Sequence, residues 1–148
     1  MGLYKKDIMD NKRVLIVDDE PMLREALADL FFDAGWMTDM AENGKEALLK
    51  VNTFPPTVIV SDINMPGMDG LELLETLNKN NIDIPVILLT GYRDAVKMQK
   101  AWNACAFDFI DKPVNNDTLL TLAKSAHECG ADYVKMARRR FQKANKAA

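Results

Sequence analysis

The sequence TVIVSDINMPGMDG occupies residues 57–70. Residues 58–60 form a run of β-branched side chains without polar alternation, which is typical of a parallel strand covered on both faces. The run leads to Asp62, and the prolines and glycines that follow indicate a turn into an apolar helix. Because ligands of open parallel α/β sheets bind at the carboxyl ends of the strands, Asp62 is a candidate site residue. The alternative, that Asp62 caps the next helix, is disfavoured because a cap lies immediately before its helix.

Length and composition limit the classes of protein to which the chain can belong. With 148 residues, of which 48% are apolar, it has room for one domain with a full core but not for a second catalytic domain. No apolar run approaches the roughly 20 residues of a membrane span and no secretory signal is recognisable, so we expect a cytoplasmic protein without membrane contact. Cys105 and Cys129 are predicted to be reduced packing residues. The net charge of -3 argues against nucleic-acid binding by the domain, although the C-terminal end is basic.

Strand-like and helix-like segments alternate five times along the chain. The fourth helix is predicted at about 93–103, and the last begins near residue 115. Right-handed crossovers convert such an alternation into a doubly wound parallel sheet with helices on both faces. The predicted strands lie at residues 13–17, 36–40, 58–60, 85–89 and 106–110.

Polar side chains follow four of these strands directly: Asp18 and Asp19, Asp62, Thr90, and Lys112. Since the carboxyl ends of parallel strands meet at one edge of the sheet, we expect these side chains to converge. Converging carboxylates repel one another unless a cation lies between them, and oxygen ligands without Cys or His favour Mg²⁺ over zinc. A metal of this kind can neutralise a phosphoryl group that moves onto a carboxylate. Asp62 is the natural nucleophile, because carboxylates form acyl phosphates.

The ordered set Asp18-Asp19, Asp62 with MPGMDG after it, Thr90-Gly91 and Lys112-Pro113 closely resembles the receiver domain of bacterial two-component response regulators. The resemblance covers about residues 12–129. It leaves residues 1–11 as an N-terminal extension and residues 130–148 as a helical extension or linker. It implies a flavodoxin-like (βα)5 fold whose five-stranded parallel sheet has the order 2-1-3-4-5.

The resemblance also implies a set of metal ligands. Asp62 would be both the phosphoacceptor and a ligand of Mg²⁺. Asp19 would bind the metal directly and Asp18 through a water molecule. The main-chain carbonyl of Asn64 would be a further ligand, and Lys112 would contact the phosphoryl group.

Other implied roles concern switching and the lifetime of the acyl phosphate. The peptide before Pro113 would be cis. Thr90 would be the switch hydroxyl and Phe109 the switch aromatic. The alternative for Phe109 is that it is a core residue without a switching role. Asn64 and Tyr92 occupy positions that help to set how long the acyl phosphate survives. His127, alone in the last helix, is predicted to be a solvated residue rather than a phosphate carrier.

The implied function is Mg²⁺-dependent acceptance of a phosphoryl group from a histidine kinase or phosphotransfer protein, followed by signalling through a surface over the fourth helix, fifth strand and fifth helix. Such a domain is no enzyme, although it assists its own phosphorylation and dephosphorylation.

A flavodoxin-like electron carrier is one alternative function. Three acids follow the first strand, however, where the phosphate of a flavin would need a phosphate-binding loop. A phosphatase with an aspartate nucleophile is another, but that family has its nucleophile on the first strand. No output domain is recognisable in the sequence, so we expect either a single-domain regulator or a receiver that ends at a linker.

The end of the chain is open to two interpretations. A 3-4-3-4-3 spacing of apolar residues continues the last helix across Gly130, and we expect a helix to about Phe141 that pairs weakly with a second chain as a homodimer. A glycine inside a helix costs about 1 kcal/mol relative to alanine, so the alternative is a helix that frays into a basic linker. The residues of this predicted seam are Leu119, Leu122, Ala126, Cys129, Tyr133 and Met136.

Overall fold

A computed structural model describes residues 11–147. The predicted N-terminal extension, residues 1–11, therefore lies outside the described residues except for its last position. Strands and helices alternate along the chain. They are β1 (Arg13–Val17), α1 (Pro21–Asp33), β2 (Met37–Ala41), α2 (Gly44–Thr53), β3 (Val58–Asp62), α3 (Gly70–Lys79), β4 (Val86–Thr90), α4 (Ala95–Asn103), β5 (Asp108–Asp111) and α5 (Asn116–Ala147).

All five strands form one parallel sheet in the order β2-β1-β3-β4-β5, which confirms the predicted fold. The sheet has an apolar layer on each face, because successive side chains of a strand point to opposite sides. Ile59 of β3 packs with α2, α3 and α4, whereas Val58 and Val60 pack with α1 and α5. Strands β3 and β4 are buried along their whole length, as their apolar runs predict.

Two elements start two residues later than the sequence predicts. Helix α4 begins at Ala95 rather than residue 93, because the Asp94 side chain caps it by accepting hydrogen bonds from the amides of Val96 and Lys97. Strand β5 begins at Asp108 rather than residue 106, since the amide of Ala106 still bonds to Ala101 at the exit from α4. Hydrophobicity alone does not reveal either local hydrogen bond.

Helix α5 continues without interruption through Gly130 to Ala147. A side chain at position 130 would lie 2.5 Å from the Cγ atom of Pro85, so the glycine lets the helix cross Pro85 closely. Beyond this crossing, Val134 and Arg138 are buried. The C-terminal part of α5 is therefore docked as a helix against its own domain, and its role as an extension or a linker stays a prediction.

The docked helix also changes the interpretation of the apolar seam. Leu119 and Ala126 are buried against the sheet of the same chain, whereas Tyr133 and Met136 are exposed. The seam therefore does not follow one open face. Within residues 11–147, no helix combines the length and apolar character that crossing a membrane requires.

Candidate functional site

Three carboxylates meet where strands β1 and β3 end. Oxygen atoms of Asp18, Asp19 and Asp62 all lie within 4.8 Å of one another. The parallel pairing of Val17 with Ser61 places the two strand ends side by side, which brings these residues together. Asp18 is fully buried and Asp62 almost so, whereas Asp19 is exposed. The predicted convergence of acids at this edge is therefore present.

Asp62 is held by contacts to both of its carboxylate oxygens. Its Oδ1 atom accepts a hydrogen bond of 3.1 Å from the backbone amide of Asn64, and its Oδ2 atom accepts one of 3.0 Å from the Lys112 ammonium. Asp69, not Asp62, caps the next helix by accepting from the amide of Glu72. Asp62 is thus fixed at the mouth of the site, and the capping alternative is wrong.

Asp18 is the most deeply buried member of the acid cluster. Its Oδ1 atom accepts a 2.9 Å hydrogen bond from the Glu20 amide, but among residues 11–147 its buried Oδ2 atom has no hydrogen-bond donor. The nearest cation to that oxygen is the Lys112 ammonium, at 3.7 Å. Burial raises the pKa of Asp18, and the charges of Asp62 and Asp19 act in the same direction, while the Glu20 amide and Lys112 oppose them.

Lys112 is the cation that balances this cluster. Burial lowers its pKa, but the hydrogen bond and negative charge of Asp62, together with the charge of Asp18, outweigh burial and raise the pKa overall. Its backbone amide donates to the carbonyl of Thr90, which fixes the loop after β5 against β4. The Lys112-Pro113 peptide is cis, as predicted. The lysine therefore stays charged beside the two buried carboxylates.

The site suits a magnesium ion. It offers carboxylate oxygens without His or Cys, and the buried oxygen of Asp18 that lacks a donor among residues 11–147 could be satisfied by a cation or by a water molecule bound to one. One lysine cannot neutralise three carboxylates, so a divalent cation would remove the remaining repulsion. Asp18, Asp19 and Asp62 are the residues that could hold it.

Thr90 and Phe109 do not point into the acid cluster in this state. The Thr90 hydroxyl donates a 2.7 Å hydrogen bond to the carbonyl of Tyr92 in its own loop. Phe109 is partly buried and contacts Trp102 edge to face, with 5.0 Å between the ring centroids. Their switching role stays a prediction, but the hydroxyl already has a partner that it must leave in order to reach Asp62.

The structure shows two contacts beside the site that the sequence did not predict. Arg93 forms a two-pronged salt bridge with Asp111, which joins the loop after β4 to the end of β5. Lys97 of α4 donates a 2.8 Å hydrogen bond to the Asn64 side chain. These residues are 18 and 33 positions apart in sequence, so no local pattern indicates either pair.

Three other predictions concern residues away from the site. His127 is not simply solvated, because its Nδ1 atom lies 2.9 Å from the Thr57 hydroxyl and its ring contacts Trp36 edge to face. Cys105 is free and buried, as expected for a packing residue. Cys129 is free but exposed, so the prediction that it packs is wrong.

Comparison with known proteins relates this geometry to a single family. The family model described as the response regulator receiver domain matches residues 14–124. The C4-dicarboxylate transport transcriptional regulatory protein DctD of Pseudomonas aeruginosa is 39% identical over 116 residues, covering 78% of this chain and 25% of that protein. The DNA-binding transcriptional regulator NtrC of Salmonella typhimurium is 36% identical over 113 residues, covering 76% of this chain and 24% of its own length. The chain thus spans about a quarter of the length of these relatives.

Solved structures give the same result. The receiver domain of the Francisella response regulator 1452 superposes with a TM-score of 0.74 at 33% identity, covering 80% of this chain and 98% of that one. The receiver domain of NtrX from Brucella abortus superposes with a TM-score of 0.72 at 33% identity, covering 78% and 98%.

Proposed function

This chain belongs to the response regulator receiver domain family of two-component signalling, and from that premise we propose that Asp62 is the carboxylate that accepts the phosphoryl group. The observation that carries the proposal is the placement of Asp62 between a cation and two further acids. Its Oδ2 atom lies 3.0 Å from the Lys112 ammonium, and Asp18 and Asp19 lie within 4.8 Å.

The transfer forms one bond and breaks one. A carboxylate oxygen of Asp62 bonds to phosphorus while the bond from phosphorus to the histidine nitrogen of the donor breaks, and that nitrogen keeps the electron pair. Mg²⁺, held by Asp19, Asp62 and the main-chain carbonyl of Asn64, with Asp18 acting through water, would supply charge neutralisation when bound. Lys112, which donates a hydrogen bond to the Asp62 carboxylate, would then donate to the phosphoryl oxygens.

Phosphorylation would also change which group the Thr90 hydroxyl bonds. New phosphoryl oxygens on Asp62 are stronger acceptors than the neutral Tyr92 carbonyl, so the hydroxyl would leave Tyr92 and turn towards the site. The space that it vacates lies beside β5, and Phe109 would rotate into it. The outer surface of α4, β5 and α5 would then present a different shape to a partner.

The partners follow from this chemistry. The donor would be a histidine kinase or a histidine phosphotransfer protein, and the recipient of the signal an output domain or separate protein. A weak homodimer through α5 remains part of the proposal, with the exposed Tyr133 and Met136 as its contact surface. The domain would act as a stoichiometric acceptor that assists its own phosphorylation and dephosphorylation.

Intact-mass measurement after incubation with acetyl phosphate and Mg²⁺ tests this proposal. We expect one phosphoryl group per chain, none after chelation of the metal, and none on Asp62→Asn protein. Steady turnover of a phosphatase substrate without accumulation of phosphorylated protein would overturn it in favour of a phosphatase.

A further inference from the structure

Lys97 links helix α4 to the loop after β3. The Lys97 ammonium lies 2.8 Å from Oδ1 of Asn64 and 3.9 Å from a carboxylate oxygen of Asp69. The first turn of α4 is fixed by Asp94, which accepts a hydrogen bond from the Lys97 amide itself. The cap holds the Lys97 backbone, and the side chain extends from there to Asn64, the residue two places after Asp62.

The contact determines which way the Asn64 amide faces. An ammonium group can only donate hydrogen bonds, so the atom of Asn64 that faces Lys97 must be the carbonyl oxygen. The amide nitrogen, with its two hydrogens, is then on the other side of the group. The Asn64 backbone amide donates to Oδ1 of Asp62, so this side chain branches from a residue that already contacts the phosphoacceptor.

Hydrolysis of an acyl phosphate on Asp62 needs a water molecule to attack phosphorus. The oxygen of water bonds to phosphorus, the bond from phosphorus to the carboxylate oxygen breaks, Asp62 regains its carboxylate, and inorganic phosphate and one proton leave. A neighbouring acceptor that takes a hydrogen bond from the attacking water orients it and assists loss of its proton. The side-chain oxygen of Asn64 is such an acceptor, two residues after Asp62, but it already accepts a hydrogen bond from Lys97.

We propose that Lys97 is a positioning residue that prolongs the lifetime of the acyl phosphate by holding the side-chain oxygen of Asn64 away from the attacking water. The proposal rests on the proposed phosphorylation of Asp62. A hydrogen bond from an ammonium is charge-assisted and stronger than one between neutral groups, so Lys97 competes with water for this exposed oxygen while α4 keeps its position. The lifetime thereby depends on where the first turn of α4 lies.

Decay of the purified phosphorylated protein, followed by intact mass after removal of acetyl phosphate, tests the proposal. Lys97→Met removes the charge but keeps an unbranched side chain, and we expect it to accelerate decay about three- to tenfold, the rate equivalent of one net hydrogen bond. Lys97→Arg should decay near the wild-type rate. The exposed Lys100 of the same helix provides a matched control, and Lys100→Met should also decay at the wild-type rate.

A double-mutant cycle separates positioning from a general effect on the fold. In the Asn64→Ala background, Lys97→Met should produce no further acceleration, because the oxygen that it positions is absent. Thermal unfolding of Lys97→Met and Lys100→Met should agree.

Two results would overturn the inference while leaving the proposed function intact: decay of Lys97→Met at the Lys100→Met rate, or equal acceleration with and without Asn64. If the wild-type chain accepts no phosphoryl group, the proposed function and this inference both fail.

Discussion

Replacing Arg138 with methionine should release the C-terminal part of α5 from the domain. The Arg138 guanidinium is buried and donates hydrogen bonds to Asp83 at 2.5 Å, to Asn78 at 2.7 Å and to the Ile82 carbonyl at 3.1 Å. Removing one partner of a buried ion pair costs about 3–5 kcal/mol, because the other charge is left without compensation. The Asp83 side chain is 26% exposed and can regain water, which reduces the expected loss to about 2–3 kcal/mol.

Urea unfolding measures the global part of this loss. For a chain of this size, a loss of about 2–3 kcal/mol lowers the urea midpoint by roughly 1–2 M. Hydrogen exchange of amides 131–141 measures the local part, which should show faster exchange once the anchor is gone. Arg139→Met is the matched control, because Arg139 is exposed on the same helix and its replacement should change stability by less than about 0.5 kcal/mol. Equal midpoints and equal exchange in the Arg138 and Arg139 variants would refute the reasoning.

Three further predictions address the site and its switch. Lys112→Met should keep the fold and bind Mg²⁺ more tightly, because a competing cation is lost, but should accept a phosphoryl group far more slowly. Calorimetric Mg²⁺ titration and acetyl phosphate kinetics check this, and unfolding with metal present would contradict it. The hydrogen bond from Arg93 holds the pKa of Asp111 below its usual range. The salt bridge therefore stabilises the fold at pH values above the ordinary carboxyl pKa, and this stabilisation is lost as the pH falls through the lowered pKa of Asp111. The Arg93→Met substitution should return the pKa of Asp111 towards its usual value, which carboxyl NMR titration measures. An unchanged pKa would show that Arg93 does not cause the shift. Trp102 fluorescence should change when beryllofluoride binds, because its edge-to-face aromatic partner moves; Trp36→Phe protein isolates that signal, and a constant spectrum would argue against the switch.

Much of the fold follows from patterns that are local in sequence. Buried strands are marked by apolar runs, and each such run that ends in a polar residue delivers that residue to one edge of a parallel sheet. This is why Asp18, Asp62 and Lys112 could be grouped before their distances were known. The 3.0 Å contact between Lys112 and Asp62 joins residues 50 positions apart, but the sheet topology already implied their proximity.

Contacts between helices and loops could not be predicted in the same way. From the sequence alone, Gly130 predicts a weak point in the helix, because the free-energy cost of a helical glycine is a local property. The need for glycine comes from Pro85, which is remote in sequence and packs closely against this position. The hydrogen bond from Lys97 to Asn64 depends on where α4 begins, which the Asp94 cap sets, and on how the helix packs against the sheet. Polar partners of this kind depend on side-chain directions that hydrophobic periodicity does not specify.

The position of the phosphoryl group is the most direct test of the central claim. Borohydride reduction of the freshly phosphorylated chain converts an aspartyl phosphate into homoserine, which peptide mass spectrometry then locates. The arrangement of Lys112 and the three acids predicts homoserine at position 62 and at no other position. Homoserine at position 18 or 19, or a phosphorylated chain without homoserine, would contradict it.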